Sequence, residues 1–173
     1  MYQVSNLFLA ITEEFECEGN ITKYLTAYPD RIGPGAVWTI GIGTIEYPNG
    51  QAVQEGDTCT ADQAWEYFQN DTAKYQDAVN RLVTAAIDQG KFDALCDFTY
   101  EEGIGALEES TLLKRVNANP ADYDGITAAF LMWDEEKVNG KEEVVAGILR
   151  RRRSDAYLYQ YGQNQATFFQ EPA

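Results

Sequence analysis

The sequence predicts an α+β protein in which a first helix is followed by a small antiparallel sheet and then by a larger helical region. Near the N-terminus, apolar residues recur at helical spacing: Val4, Leu7, Phe8 and Ile11. Residues 28–53 are instead rich in β-branched and aromatic residues interrupted by glycines. After Thr60, apolar residues recur at helical spacing again.

The boundaries of these elements follow from local signals. Ser5 is a candidate N-cap of the first helix, and Gly19 is a natural stop for it. The pair Asn49 and Gly50 is typical of a hairpin turn in the sheet. Thr60 and Gln63 have the spacing of a capping box.

The region after Thr60 is expected to be helical throughout. Stop signals divide it into about five helices. They fall at Gly90, at 103–105, at 117–120 and at 139–140. We therefore expect one catalytic domain over residues 1–161, with a sheet lobe at about 20–58 and a helical lobe at about 60–161, and a polar C-terminal tail over 162–173.

Composition excludes several classes of function. The chain of 173 residues has no histidine, and its three cysteines form no closely spaced pair, so we expect free thiols, no metal site and no cofactor. A net charge of −15 opposes binding to nucleic acid or to anionic lipid. The apolar stretch 7–11 is too short for a signal peptide or a membrane span, so we expect synthesis in the cytoplasm and no membrane insertion.

The junction between the sheet and the helical region is the expected cleft, and Glu18 lies at its edge. The negative end of the helix dipole and a lowered local polarity would raise the pKa of Glu18, as a general acid requires. Asp30 follows in a polar stretch where solvent keeps it ionised. A neutral acid and an ionised carboxylate are the minimum equipment for glycoside hydrolysis.

From residue types alone, other acids compete with Glu18 for this place at the helix end. They are Glu13, Glu14 and Glu16. Glu18 is favoured because it keeps the helical phase of Ile11 and because Gly19 fixes the end of the helix.

Three segments in this region resemble the active-site region of the phage-type lysozymes, glycoside hydrolase family 24. They are Glu18-Gly19, Ala27-Tyr28-Pro29-Asp30 and Trp38-Thr39-Ile40-Gly41-Ile42-Gly43-Thr44. Later segments match further landmarks of that family in the same order. These are 47–50, 56–60, 92–95, 103–106, 110–113 and 133–153, so the resemblance extends to about Tyr161.

The resemblance implies a catalytic set of Glu18, Asp30 and Thr39. Glu18 would protonate the departing glycosidic oxygen, while Asp30 and the hydroxyl of Thr39 would hold the attacking water, which gives inversion. It also implies an arginine near the catalytic glutamate, for which Arg151 is the candidate.

The chain departs from the family's pattern at three places. Three additional residues lie between Glu18 and Asp30, within 20–26. Thr44 stands where the family often has a histidine, and Glu101 stands where it often has an asparagine.

A redox role for Cys17 is less favoured than that of a small packed thiol.

The implied function is that of an endolysin, a muramidase that cleaves the β-1,4 bond between N-acetylmuramic acid and N-acetylglucosamine in peptidoglycan during host lysis. We expect a monomer that leaves the host cytoplasm with help from a separate holin-type protein. Two alternatives are a catalytically silent glycan-binding or virion structural domain and a glycosidase that acts on chitin or chitosan.

Overall fold

The computed structural model describes residues 1–29, 35–138 and 141–163, and for 135–138 and 141–144 it describes the backbone alone. The chain divides into two compact units, Thr12–Lys74 and Met1–Ile11 together with Tyr75–Ala173.

Helices make up most of the described chain. They are α1 (Asn6–Cys17), a short 3₁₀ helix (Ile21–Tyr24), α2 (Ala61–Leu82), α3 (Gln89–Glu102), α4 (Ile104–Glu109), α5 (Thr111–Ala118), α6 (Tyr123–Leu131) and α7 (Ala146–Tyr161). Two antiparallel pairs of strands complete the fold: β1 (Tyr28–Pro29) with β2 (Trp38–Thr39), and β3 (Glu135–Val138) with β4 (Lys141–Val144). The α+β prediction is confirmed.

The predicted helix signals act as expected. Ser5 immediately precedes α1, and its hydroxyl accepts a hydrogen bond from the amide of Leu7 at 3.1 Å. The carboxylate of Asp93 in turn accepts bonds from the amide and the hydroxyl of Ser5. Before α2, the amide of Gln63 donates to the hydroxyl of Thr60 at 3.2 Å and the amide of Thr60 donates to the side chain of Gln63 at 2.9 Å. This reciprocal pair is the predicted capping box.

The sheet is smaller than the β-rich composition of residues 28–53 predicts. Strands β1 and β2 have two residues each, in the register Tyr28 to Thr39 and Pro29 to Trp38. Single bridges extend the pairing elsewhere, and one of them, Glu46 to Ala52, closes the turn at Asn49 and Gly50. The turns between these bridges interrupt the ladders, so the segment folds mainly as linked loops.

The prediction that everything after Thr60 is helical is wrong for 135–138 and 141–144, which form a hairpin. The residues between its strands, Asn139 and Gly140, are the predicted break between two helices and lie outside the described residues. An Asn-Gly pair is also typical of a hairpin turn, so the sequence equally favoured a hairpin at this place.

The core of the larger unit lies where α3 and α6 pack against α7. The aromatic rings of Phe98, Phe130 and Tyr159, one from each helix, meet edge to face at 5.9 and 6.0 Å between centroids. In the unit Thr12–Lys74, the core contains Ala27, Ile40 and Val53. Among the described residues, no helix has both the length and the apolar composition that a bilayer span requires.

Gly90 was predicted to break a helix, but it lies in the first turn of α3. Close packing explains the glycine, because a Cβ at this position would stand 2.7 Å from Gly162 Cα and 3.1 Å from the carbonyl oxygen of Leu158. Both neighbouring atoms belong to the backbone, so they cannot turn aside as a flexible side chain would.

We therefore predict that Gly90→Ala lowers the free energy of unfolding by about 1–3 kcal/mol, the usual cost of overpacking. The matched control is Gly105→Ala in α4, where a Cβ meets nothing within 4 Å. That change should be neutral or stabilising by less than about 1 kcal/mol. Urea denaturation followed by circular dichroism measures both, and equal stability of the two variants would contradict the packing argument.

Candidate active site

Glu18 lies in a chain reversal just after α1. The helix ends at Cys17, and Glu18 and Gly19 both have left-handed backbone conformations, with φ of 51° and 65°. The amide of Gly19 donates to the carbonyl of Glu13 at 3.2 Å, and the amide of Asn20 donates to that of Cys17 at 2.8 Å. Among the described residues other than glycine, Glu18 alone has a positive φ. Strained backbone of this kind is often found at functional sites.

The carboxylate of Glu18 is exposed and forms an ion pair with Lys23. Lys23 Nζ lies 2.6 Å from Glu18 Oε2, and 71% of the Glu18 side chain is exposed. Lys23 belongs to the 3₁₀ helix, whose N-cap Asn20 accepts a hydrogen bond from the amide of Thr22. This helix lies within 20–26, the segment in which the chain carries three more residues than the family's usual pattern.

The predicted rise in the pKa of Glu18 is wrong for this structure. The hydrogen bond from Lys23, and then the positive charge of Lys23, lower the pKa below its ordinary value. The prediction considered the helix dipole and burial, but the side chain is exposed and its nearest charge is a lysine five residues further along the chain.

Thr39 is the last residue of β2 and is buried. A tight turn follows it, in which the backbones of Ile40 and Thr44 exchange hydrogen bonds of 2.9 and 3.1 Å. The amide of Gly41 inside this turn donates to the carbonyl of Tyr24 in the 3₁₀ helix at 2.8 Å. The segment after Glu18 and the segment after Thr39 are therefore joined by a backbone hydrogen bond.

Gly41 is required at this position for two reasons. Its φ is 61°, and a Cβ there would lie 2.7 Å from the Cβ of Ala64 in α2. Its carbonyl faces Cys17, whose sulfur lies 3.8 Å away. Gly41 therefore serves both the turn and the close packing against α2.

Asp30, the predicted partner of Glu18, lies outside the described residues. The described chain reaches Pro29, which pairs with Trp38 next to Thr39. Asp30 stays a prediction from the sequence.

Asp71 in α2 holds the turn that follows Thr39. The hydroxyl of Thr44 donates to Asp71 Oδ2 at 2.7 Å, and Thr44 is buried. Burial raises the pKa of Asp71, although the hydrogen bond from Thr44 acts in the opposite direction. Sequence reasoning missed Asp71, but its spacing of seven from Ala64, which contacts Gly41, places both residues on one face of α2.

Cys17 is a buried, unreactive thiol in this arrangement. Burial and then the charges of Glu16 and Glu13 raise its pKa to about 12, so it stays protonated at neutral pH. The cysteines Cys17, Cys59 and Cys96 are free, as predicted. Among the described residues, no cluster of acidic or cysteine side chains could hold a metal ion.

Arg151, the predicted arginine of the site, lies in the other unit and is bound to α3. Its Nε and Nη2 donate to the two carboxylate oxygens of Asp97 at 2.9 and 2.8 Å, and Nη1 lies 2.7 Å from Glu101 Oε1. The guanidinium of Arg151 therefore pairs with two carboxylates of α3. Glu101, which stands where the family often has asparagine, forms an ion pair with this arginine.

The carboxyl groups of Asp97 and Asp155 are both fully buried beside Arg151 and Arg152. Burial acts to raise the pKa of Asp97, but the charge and the hydrogen bonds of Arg151 outweigh it and lower the value to about 2. Burial and the neighbouring Asp97 carboxylate raise the pKa of Asp155 well above its ordinary value. Asp155 is therefore the member of the pair that keeps a proton.

Comparison with known proteins identifies the family of this chain. The phage lysozyme family model matches residues 16–155. The endolysin of Acyrthosiphon pisum secondary endosymbiont phage 1 is 33% identical over 136 residues, which are 79% of this chain and 86% of that protein. The endolysin of Salmonella phage P22 is 33% identical over 135 residues, which are 78% of this chain and 86% of that protein.

A solved structure is also similar. The endolysin from Escherichia coli O157:H7 phage FAHEc1 superposes with a TM-score of 0.81 at 33% identity, over 95% of this chain and 97% of that one. The chain belongs to the phage lysozyme family. The predicted lysozyme-like α+β fold and the predicted enzyme class, a glycoside hydrolase of the muramidase type, are confirmed.

We predict that Asp71→Ala destabilises the protein, because it leaves the buried hydroxyl of Thr44 without its acceptor. The cost should be about 1–3 kcal/mol of unfolding free energy. Asp77→Ala, which removes an exposed carboxylate from the same helix, is the matched control and should change stability by less than about 0.5 kcal/mol. Thermal denaturation of both variants measures the difference, and an unchanged Asp71→Ala variant would show that this bond does not hold the turn.

Proposed function

We propose that this enzyme is an endolysin that cleaves the β-1,4 bond between N-acetylmuramic acid and N-acetylglucosamine, with Glu18, Asp30 and Thr39 as its catalytic residues. One observation carries the assignment of Glu18. It is the acidic residue that the left-handed reversal after α1 presents to solvent, and the hydrogen bond between Gly41 and Tyr24 ties the following segment to the turn after Thr39. Family membership over 16–155 supplies the reaction class.

In the proposed reaction, Glu18 donates its proton to the glycosidic oxygen as the bond to the anomeric carbon breaks. A water on the opposite face of the sugar attacks that carbon, positioned by the hydroxyl of Thr39, and gives its proton to Asp30. The product sugar therefore has the inverted anomeric configuration, and no covalent intermediate forms. The next turnover requires Glu18 to take up a proton and Asp30 to lose one.

The ion pair between Glu18 and Lys23 opposes this use of Glu18 in the free enzyme, because it stabilises the ionised form. We propose that a bound glycan separates the two side chains. Both side chains are largely exposed, so water can solvate Lys23 when the pair opens. A sugar over Glu18 would also exclude water and favour the protonated acid.

The domain boundary and the cellular context are also proposals. The catalytic domain would cover residues 1–161, with residues 162–173 as a tail. We propose a monomer that binds neither nucleic acid nor membrane, which the net charge of −15 supports. A holin-type protein would give it access to the cell wall from the host cytoplasm.

The first prediction here is that Glu18→Gln reduces hydrolysis of purified peptidoglycan by at least about 10²-fold, because the amide has the size of the acid but donates no catalytic proton. Thr39→Val should lose a large part of the rate by removing the hydroxyl, whereas Thr39→Ser retains the hydroxyl and more of the activity. Mass spectrometry of the released muropeptides measures the rates, and circular dichroism checks the fold.

Full activity of Glu18→Gln would refute the assignment of the acid. The same measurement, made on chitosan as well as on peptidoglycan and combined with a peptidoglycan-binding assay, separates the alternative functions. A folded wild-type protein that binds peptidoglycan without cleaving it would be a catalytically silent glycan-binding domain. Cleavage of chitosan but not of peptidoglycan would indicate a glycosidase that acts on chitin-type polymers.

The second prediction concerns pH. Lys23→Met removes the group that lowers the pKa of Glu18, so that pKa should rise. Because the acid must be protonated to act, the activity lost with rising pH should then be lost at a higher pH than in the wild-type enzyme. The pH dependence of kcat/KM on a soluble glycan substrate tests this, because kcat/KM reports the free enzyme, in which the ion pair is intact. Lys114→Met in α5 has the same change in net charge and should leave the profile unchanged, and identical profiles for both variants would contradict the role of Lys23.

A further inference from the structure

An open cavity of about 730 Å³ lies in the unit Thr12–Lys74, beside the turn at Asn49 and Gly50. Its volume is in the range of small-molecule sites in proteins. Neither Glu18 nor Thr39 lines it. The lining combines two tyrosine rings, three side-chain amides and one carboxylate, from Tyr47, Tyr67, Asn49, Gln51, Gln54 and Asp57.

Hydrogen bonds fix the polar wall of this cavity. Asp57 Oδ2 accepts hydrogen bonds from the hydroxyl of Tyr47 and from the backbone amide of Gln54, both at 2.9 Å. The amide of Tyr47 donates to the carbonyl of Gln51 at 2.8 Å, and the side-chain amide of Asn49 donates to that of Gln51 at 3.0 Å. The side-chain amide of Gln54 donates to the carbonyls of Ala52 and Val53 at 3.1 and 3.2 Å. The three side-chain amides and the carboxylate therefore keep defined positions.

The aromatic wall is equally fixed. The rings of Tyr47 and Tyr67 meet edge to face at 5.1 Å, and both pack against the cluster that contains Ala27, Ile40 and Val53. Burial, and next the hydrogen bond to Asp57, raise the pKa of Tyr47 to about 12, so it stays a hydroxyl donor at neutral pH. An aromatic face beside fixed polar groups suits a ligand with one apolar face and a polar edge.

Charge narrows the class of ligand. Among the described residues that line the cavity, Asp57 carries the one carboxylate, and none is a lysine or an arginine. A carboxylate or phosphate ligand would find no cation there to pair with. This argues against the acidic stem peptides of a cell wall and favours a neutral sugar that carries hydroxyl and acetamido groups.

We propose that this cavity is a second glycan-binding site that holds a neutral N-acetylhexosamine unit, separate from the candidate active site. The idea that the sugar belongs to a peptidoglycan strand rests on the proposed function, while the recognition itself depends on the cavity alone. Such a site would attach the enzyme to polymeric substrate without taking part in bond cleavage.

The experiment uses the full chain with Glu18→Gln, so that the probe is not consumed, and titrates it with the N-acetylglucosamine trimer. Backbone amide NMR shifts within 47–58 should move saturably. In a Gln51→Ala/Gln54→Ala variant the affinity reported by these signals should fall about tenfold, because two exposed amides are lost. Gln69→Ala, which removes an exposed amide elsewhere on α2, is the control and should keep the wild-type affinity.

Hydrolysis distinguishes this site from the active site. With Glu18 restored, the double variant should retain its kcat on short soluble substrate within about twofold but show a higher KM on insoluble peptidoglycan. Unmoved signals within 47–58 at millimolar trimer, an unchanged affinity in the double variant, or shifts caused by a stem peptide and not by the trimer would each overturn the proposal. If the trimer binds here but the wild-type enzyme leaves peptidoglycan intact, the proposed function fails and this site stands.

Discussion

The backbone hydrogen bond between Gly41 and Tyr24 is the contact on which the candidate site depends. It joins the 3₁₀ helix that follows Glu18 to the turn that follows Thr39, two segments of little regular structure. The bond is possible because Gly41 has no Cβ and so fits against Ala64 with a positive φ. Asp71 stabilises the far side of the same turn through Thr44. The short strands β1 and β2 alone would give little of this order.

The two sets of charges in the chain have different consequences because they differ in exposure. Arg151 and Asp97 are buried, so breaking their bidentate pair would leave an uncompensated charge away from water, at a large cost in stability. Glu18 and Lys23 are exposed, and water compensates both when they separate. The buried network therefore suits a structural role, and the exposed pair suits the role proposed for Glu18, which requires a change of protonation state during each turnover.

Local signals predicted the ends of helices well because their causes are local. Ser5, Gly19, Thr60 and Gln63 act through neighbouring backbone groups, and each lies where the sequence analysis placed it. The extent of the sheet was overestimated, because β-branched and aromatic residues within 28–53 also suit the core of a loop-rich unit. The hairpin β3–β4 was missed since helical spacing was extended across it.

The prediction of the candidate site depends mainly on the motif that resembles the family. Helical phase and the stop at Gly19 favoured Glu18 over Glu13, Glu14 and Glu16, and the resemblance to the family pointed to the same residue. The effect of Lys23 was not predictable in this way, because it depends on how the additional residues between Glu18 and Asp30 fold back. Asp71 likewise emerges only when the turn at Thr44 meets α2.

We propose that Lys23 keeps Glu18 ionised in the free enzyme and that bound glycan releases the carboxyl group for protonation. Carbon-13 NMR of the Glu18 side-chain carboxyl, titrated with pH, measures this protonation directly. We expect a pKa below the ordinary glutamate value in the free protein, and a clear rise when the N-acetylglucosamine trimer occupies the candidate active site. A Glu18 pKa that is at or above the ordinary value in the free protein, or that does not change on saturation with the trimer, would contradict it.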